Sequence, residues 1–155
     1  RVEDFAECDL EELEQLIYST GFYRAKARNI RGAAVRIVEQ FGGEVPDEMK
    51  DLVTLPAVGR KTANVVLHTA FGKPVGVVVD THVIRISGLL RLVPDKLVRV
   101  KNAAAIERRL MKLVPQDKWS AFTHLLINHG RKVCIARKPR CGECVLNKLC
   151  PSAKL

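Results

Sequence analysis

Four cysteines crowded near one end of the chain are the residues best equipped for chemistry. Cys134, Cys141, Cys144 and Cys150 follow the spacing C-x6-C-x2-C-x5-C, with Pro151 next. Four thiolates held so close together would be exposed and reactive without a metal. Two kinds of site accept four cysteines: tetrahedral structural zinc and an iron–sulfur cluster. Spacing alone does not choose between them. A fifth cysteine, Cys8, stands apart and reads as a buried or incidental thiol. An odd count with four members in the last 22 residues makes a poor disulfide framework. It points instead to a metal or cluster site in a reducing compartment. Arg137, Lys138 and Arg140 lie between the first two cysteines. A clamped loop holding three cations suits a phosphate backbone, although such charge runs often do no more than keep a surface solvated.

A second candidate is the segment Leu55 to Asn64, which reads LPAVGRKTAN between two helical patterns. Pro56 fits a turn, and Gly59 allows a tight backbone before the next helix. The start of a helix presents free N–H groups and the positive end of its dipole to an anion. Two short helices around such a turn can therefore hold a DNA phosphate through backbone atoms without reading sequence; an ordinary helix–helix turn has the same residues. Lys61, taken alone, is a solvated lysine. Its place in the first turn, beside Arg60, changes that reading, because the dipole and the neighbouring cation both favour the unprotonated, nucleophilic amine. Asp80, in Val79-Asp80-Thr81-His82, is a favoured helix N-cap. A cap carboxylate at the end of an apolar run can also face a cleft, so the two roles are compatible. His82 contacts a backbone or fills space. His68, His124 and His129 have no ligand-type spacing and are assigned no chemistry.

Helices must carry these groups. Asp9 and Glu12 form a capping-box pattern that opens a helix near Leu10, ended by Gly21. Ile30, Ala33, Ala34, Ile37, Val38 and Phe41 fall on one stripe, which predicts a helix over about 23–41. Arg24, Lys26, Arg28, Arg31 and Arg36 lie mostly off that stripe. A short helix over 47–54 leads into the turn, and another runs over 60–71, making a hairpin of about 47–71. Val75 to Val79 is β-branched but has no strand partner, so it is read as a buried extended linker. Further helices are expected over 81–90, 101–113 and 118–129. The fold class is all-α. The expected division is a helical region 1–133 and a cysteine loop with tail, 134–155.

Composition sets the outer limits. The chain has 155 residues, 47% hydrophobic and 28% charged, as in ordinary soluble globular proteins. No apolar run approaches the roughly 18 residues a membrane helix needs, and no segment has the layout of a secretory signal. The net charge of +9 and a pI of about 9.6 suit a polyanionic partner. Aromatics are only 5%, which argues against a single-strand binder that needs stacking platforms. The chain begins with Arg1 rather than Met and is expected to be a fragment of something longer.

These motifs together carry a resemblance. LPAVGRKTANVVL is similar to the hairpin of the helix-hairpin-helix DNA glycosylases, and Arg60-Lys61-Thr62 resembles the endonuclease III branch. VDTHVIRI is similar to that branch's aspartate segment, and the cysteine spacing resembles its 4Fe–4S loop. The resemblance runs from about Leu10 to Pro151 with the motifs in the family's order. It implies a two-lobed all-α fold with the active site in the cleft between lobes and a structural 4Fe–4S cluster on Cys134, Cys141, Cys144 and Cys150. It also implies a bifunctional DNA glycosylase and abasic-site lyase. Lys61 would attack C1′ of the damaged nucleotide, Asp80 would steady the cationic sugar, and β-elimination would nick the strand. Leu55, Pro56, Ala57, Val58, Gly59, Arg60, Thr62, His82, Arg137, Lys138 and Arg140 are the expected DNA contacts. The implied partner is duplex DNA with an oxidised pyrimidine or an abasic site. The protein would act as a monomer, with no membrane, in a bacterial or archaeal cytoplasm near the nucleoid. Ala57 departs from the family's usual glycine, and the family's N-terminal helices are missing. Those two features favour an alternative, an inactive DNA-binding fragment; a monofunctional glycosylase of the same superfamily is another.

Overall fold

The computed structural model describes residues 1–154, and every regular element among them is helical. In chain order these are α1 (Val2–Glu7), α2 (Leu10–Leu16), α3 (Tyr23–Phe41), α4 (Met49–Leu52), α5 (Arg60–Thr69), α6 (Thr81–Leu89), α7 (Asp95–Arg99), α8 (Ala103–Leu113) and α9 (Trp119–Lys132). Short 3-10 turns occupy Gln116–Lys118 and Cys141–Glu143. The chain forms two compact units, Arg1–Leu67 and His68–Leu155. No helix among the described residues is long and apolar enough to cross a membrane.

The first unit is organised by α3, which buries Ala27, Ala34 and Ile37 and receives α1 and α2. Of the stripe read from the sequence, Ala34 and Ile37 are buried and Ala33, Val38 and Phe41 half-buried, while Ile30 is exposed and Ala27 joins the buried face instead. Gly42 and Gly43 end the helix with left-handed φ values of 62° and 85°, and the Gly43 N–H closes back onto the Ile37 carbonyl. The next helix back, α2, stops at Leu16, short of Gly21. Tight bonds from Tyr18 N–H to Gln15 O and from Thr20 N–H to Ile17 O replace the helical ladder, and the Thr20 hydroxyl also donates to Ile17 O. Asp9 caps α2 as expected, accepting from the Glu11 and Glu12 amides. α1 has no buried residue. It lacks the apolar stripe that would announce it, and is held by packing on α3, with Arg31 Nε donating to the Ala6 carbonyl at 3.4 Å.

The second unit is organised by α6 lying against α9. Their approach is closest at Gly130, where an added Cβ would stand 2.7 Å from His82 Nδ1 and 2.9 Å from Ile86 Cδ1. Val83 and Ile86 of α6 join Ile106 and Leu110 of α8 and Trp119 and Leu126 of α9 in one buried cluster. The segment Val75–Val79 forms no strand, as expected, but is only partly buried: Val77 and Val79 are inside, Val75 is exposed and the chain bends at Gly76. The Thr123 hydroxyl donates to Val78 O within this segment, and Gln116 donates to Pro74 O just ahead of it. α7 is five residues long, too short for any periodicity to reveal. It packs on α6 through Val98, whose Cγ2 would lie 2.8 Å from a Cβ at Gly88. Lys101, expected inside the next helix, is left-handed at φ 50°. α8 therefore starts two residues later, with Asn102 capping the Ala105 amide. α9 runs to Lys132, one turn beyond the expected end.

Candidate active site and cysteine loop

The hairpin combines a local turn bond with contacts to α3. Val58 N–H bonds to Leu55 O across the turn, and Leu55 is buried. Pro56 packs on α3, its Cγ 3.4 Å from where a Cβ on Gly32 would stand. Arg36 of α3 donates to the Thr54 carbonyl just ahead of the turn. The left-handed step falls on Ala57, at φ 59°. Gly59, to which the sequence reading gave the tight backbone, has an ordinary φ and open space where a Cβ would be. An alanine thus occupies the position that favours glycine, at a cost of about 1–2 kcal/mol for the left-handed backbone. Ala63 N–H is the amide that bonds back to Gly59 O, so the amides before it sit in the unclosed first turn of α5. Lys61 is in that turn and exposed, as are Arg60 and Thr62; Ala57 is exposed and Val58 half-buried.

Asp80 is held differently. It is half-buried, follows the buried Val79, and caps α6 by accepting the Val83 amide at 2.8 Å. The second carboxylate oxygen is left to other work. His82, two residues on, has its Nδ1 buried without a hydrogen-bond partner. Its ring lies against the bare backbone of Gly130, so it packs α6 onto α9.

The four cysteines are free thiols, each half-buried, and all line one cavity of about 220 Å³. A single water needs only roughly 10–15 Å³ on this measure. Among the described residues no group of three or more His, Cys, Asp or Glu side chains is gathered tightly enough for a single metal ion. Four thiols around one hollow offer ligands for either kind of site. Nitrogen atoms lie beside two of the sulfurs. Arg85 Nη1 lies 3.4 Å from Cys134 Sγ, Leu146 N–H points at Cys144 Sγ from 3.4 Å, and His129 Nε2 is 3.7 Å from the same sulfur. Donors directed at sulfur match thiolates bound to iron, which remain acceptors. The residues present therefore fit an iron–sulfur group.

The loop itself is closed at its base by Arg140 N–H to Val133 O. Arg137 and Lys138 are exposed at its tip. Arg140 makes a loose pair with Glu143 at 3.8 Å. Arg85 and His129 are the residues that reading the sequence missed. Arg85 is 49 positions from Cys134 and His129 is 15 from Cys144, and no motif links them.

The family described as HhH-GPD superfamily base excision DNA repair protein matches residues 1–116. The iron–sulfur binding domain of endonuclease III matches residues 134–150. The chain belongs to the endonuclease III family. Endonuclease III of Synechocystis sp. is 57% identical over 94% of the chain, and that of Bacillus subtilis 48% over 97%. The chain spans 64% and 66% of those two relatives, just under two thirds. A solved non-covalent endonuclease III–DNA complex superposes with TM-score 0.88 at 44% identity, covering 98% of this chain and 69% of that one. A trapped endonuclease III–DNA covalent intermediate gives TM-score 0.88 at 43% identity, with the same coverage. The match to the iron–sulfur binding domain over 134–150 decides between the two metals left open by spacing, in favour of a 4Fe–4S cluster.

Proposed function

We propose that the protein is a base-excision repair glycosylase with abasic-site lyase activity, acting on oxidised pyrimidines in duplex DNA. The observation that carries this is an exposed lysine in the unclosed first turn of α5, directly after the hairpin, in a chain of this family. The damaged base is turned out of the duplex. Lys61 Nζ attacks C1′ as the N-glycosidic bond breaks, and the base leaves with the electron pair and takes up a proton. Asp80 stabilises the positive charge developing on the sugar. Loss of the amine proton and opening of the ring give the Schiff base. Removal of a C2′ proton then expels the 3′ phosphate, and the strand is nicked.

The unoccupied oxygen of Asp80 supports its role, since capping uses only one of the two. The hairpin from Leu55 to Thr62 takes a phosphate on its backbone amides, where Gly59 offers no Cβ, and Arg137 and Lys138 take another. The cluster is structural: it holds the loop that carries these cations. Charge of +9 and bacterial relatives support a monomer working beside the nucleoid in a bacterial-type cytoplasm. The inert-fragment alternative leaned on Ala57, yet Ala57 takes the left-handed conformation, so the substitution costs strain and keeps the shape.

The test is borohydride trapping on a thymine glycol duplex, comparing the chain with Lys61→Gln. A covalent adduct lost in the variant is the expected result. No adduct from either protein, with the cluster intact and DNA bound, would leave a monofunctional enzyme or a binder.

A further inference from the structure

The cysteine loop and Asp80 meet the same helix. α6 is nine residues long, and Asp80 is its N-cap. Arg85, in its middle, sends a guanidinium to the first cysteine. Nη2 donates to the Cys134 carbonyl at 2.6 Å, and Nη1 to Cys134 Sγ at 3.4 Å. One turn later, the Leu89 carbonyl accepts the Ser152 hydroxyl at 2.9 Å, and Cys150 Sγ lies 3.9 Å from the same oxygen. The helix is thus tied to both ends of the loop, and α9, which packs on it, touches Cys144 through His129.

We propose that Arg85 is a positioning residue, which registers the Asp80 carboxylate against the cluster loop through α6. The geometry asks for arginine. A planar fork can span a sulfur and a carbonyl of one residue with two separate N–H groups, where a lysine offers a single ammonium. The contact is part-buried, so its hydrogen bonds to a metal-bound thiolate are stronger than exposed neutral ones. A short helix moves as a rigid body. Fixing its middle at Cys134 and its end at Ser152 therefore fixes the rotation and height of its cap. Partners of this kind, one step out from a metal ligand, orient the ligand and tune the metal. A guanidinium beside a ligand sulfur also favours the reduced, more negative cluster. The cluster in this account places an active-site group as well as a DNA-gripping loop.

The inference rests on the lyase reading only for its kinetic arm. The experiment takes the whole chain, with its cluster loaded, as parent, Arg85→Gln and Arg85→Lys. It measures the cluster's reduction potential, hydrogen exchange of the Val83 amide that Asp80 accepts, and single-turnover adduct formation at saturating abasic duplex. Arg85→Gln is expected to lower the potential, expose the Val83 amide to faster exchange, and slow adduct formation by about 10- to 100-fold, with duplex affinity unchanged. Arg85→Lys keeps the charge but not the fork. It is expected to recover the potential and to stay slow. A glutamine variant that holds its cluster with parental Val83 exchange and parental rate, or with parental potential, overturns the proposal. Where the glutamine variant loses its cluster, the lysine variant decides: parental exchange and rate in it overturn the claim for the fork. A parent that forms no adduct sinks the lyase reading, while potential and amide exchange still judge Arg85.

Discussion

Lys61 and Asp80 are placed by opposite means. Lys61 stands exposed on a helix start shaped mainly by the Val58–Leu55 turn bond, a left-handed Ala57 and the first turn of α5, and braced on α3 by Arg36 and Pro56. Asp80 is half-buried, reached through a buried extended segment and set on a helix tied to residues dozens of positions away. Exposure gives the proposed nucleophile its reach. A carboxylate that steadies a cation works best where water is excluded and its orientation is fixed. The lysine should therefore tolerate substitution structurally, whereas changes near the aspartate should disturb fold and chemistry together.

Six substitutions test that contrast. The largest effect is expected from iron removal or Cys144→Ser: loss of visible cluster absorbance and faster proteolysis between residues 134 and 150, with the hairpin helices unaffected by amide exchange. Equal loss of protection around α5 would break the contrast. Next comes the pair Lys61→Gln and Asp80→Ala. The first should leave thermal stability within about 0.5 kcal/mol, as at an exposed site away from packing. The second removes a cap and should cost about 1 kcal/mol. Asp80→Asn, which can still cap, should recover that stability without recovering adduct formation. Equal stabilities for the alanine and asparagine variants would show that the cap is idle. At Gly130→Ala, the added methyl meets His82 and Ile86 and should cost about 1–3 kcal/mol by overpacking; urea denaturation checks it. The smallest effect is expected at Ala57→Gly. Relief of the left-handed strain, about 1–2 kcal/mol, is partly offset by a more flexible unfolded chain, about 0.4–1 kcal/mol. A gain of up to roughly 1 kcal/mol is expected. A loss would mean that the methyl group makes a contact worth more than the strain.

Much of this molecule could be read directly from the order of its residues, wherever the determining interactions are local. The α3 stripe, the Gly42–Gly43 stop and the Asp9 and Asp80 caps depend on residues within one or two turns of each other, so spacing alone exposes them. The absence of a partner for Val75–Val79 was equally plain, since one β-branched run cannot form a sheet. Short helices escaped notice. α1 and α7 hold too few residues for a period and exist because α3 and α6 offer them a surface. The left-handed residue of the hairpin was not legible either, because a backbone angle at Ala57 is chosen by the turn as a whole.

The cysteines show where that boundary lies. Their spacing announces a metal site because four thiols within so few residues have little else to do. It does not state how wide the hollow between them is, since that width is set by how the loop folds back on α6 and α9. Nor could it name Arg85 or His129. Both contacts join residues far apart in the chain, and an arginine or histidine on a helix has no local mark that distinguishes one bonded to a cysteine from one in water. The sequence determined which groups can react and which short segments hold them. Tertiary packing decided which distant side chains lock those groups in place, because an orientation in space is a property of contacts between segments and not of any segment by itself.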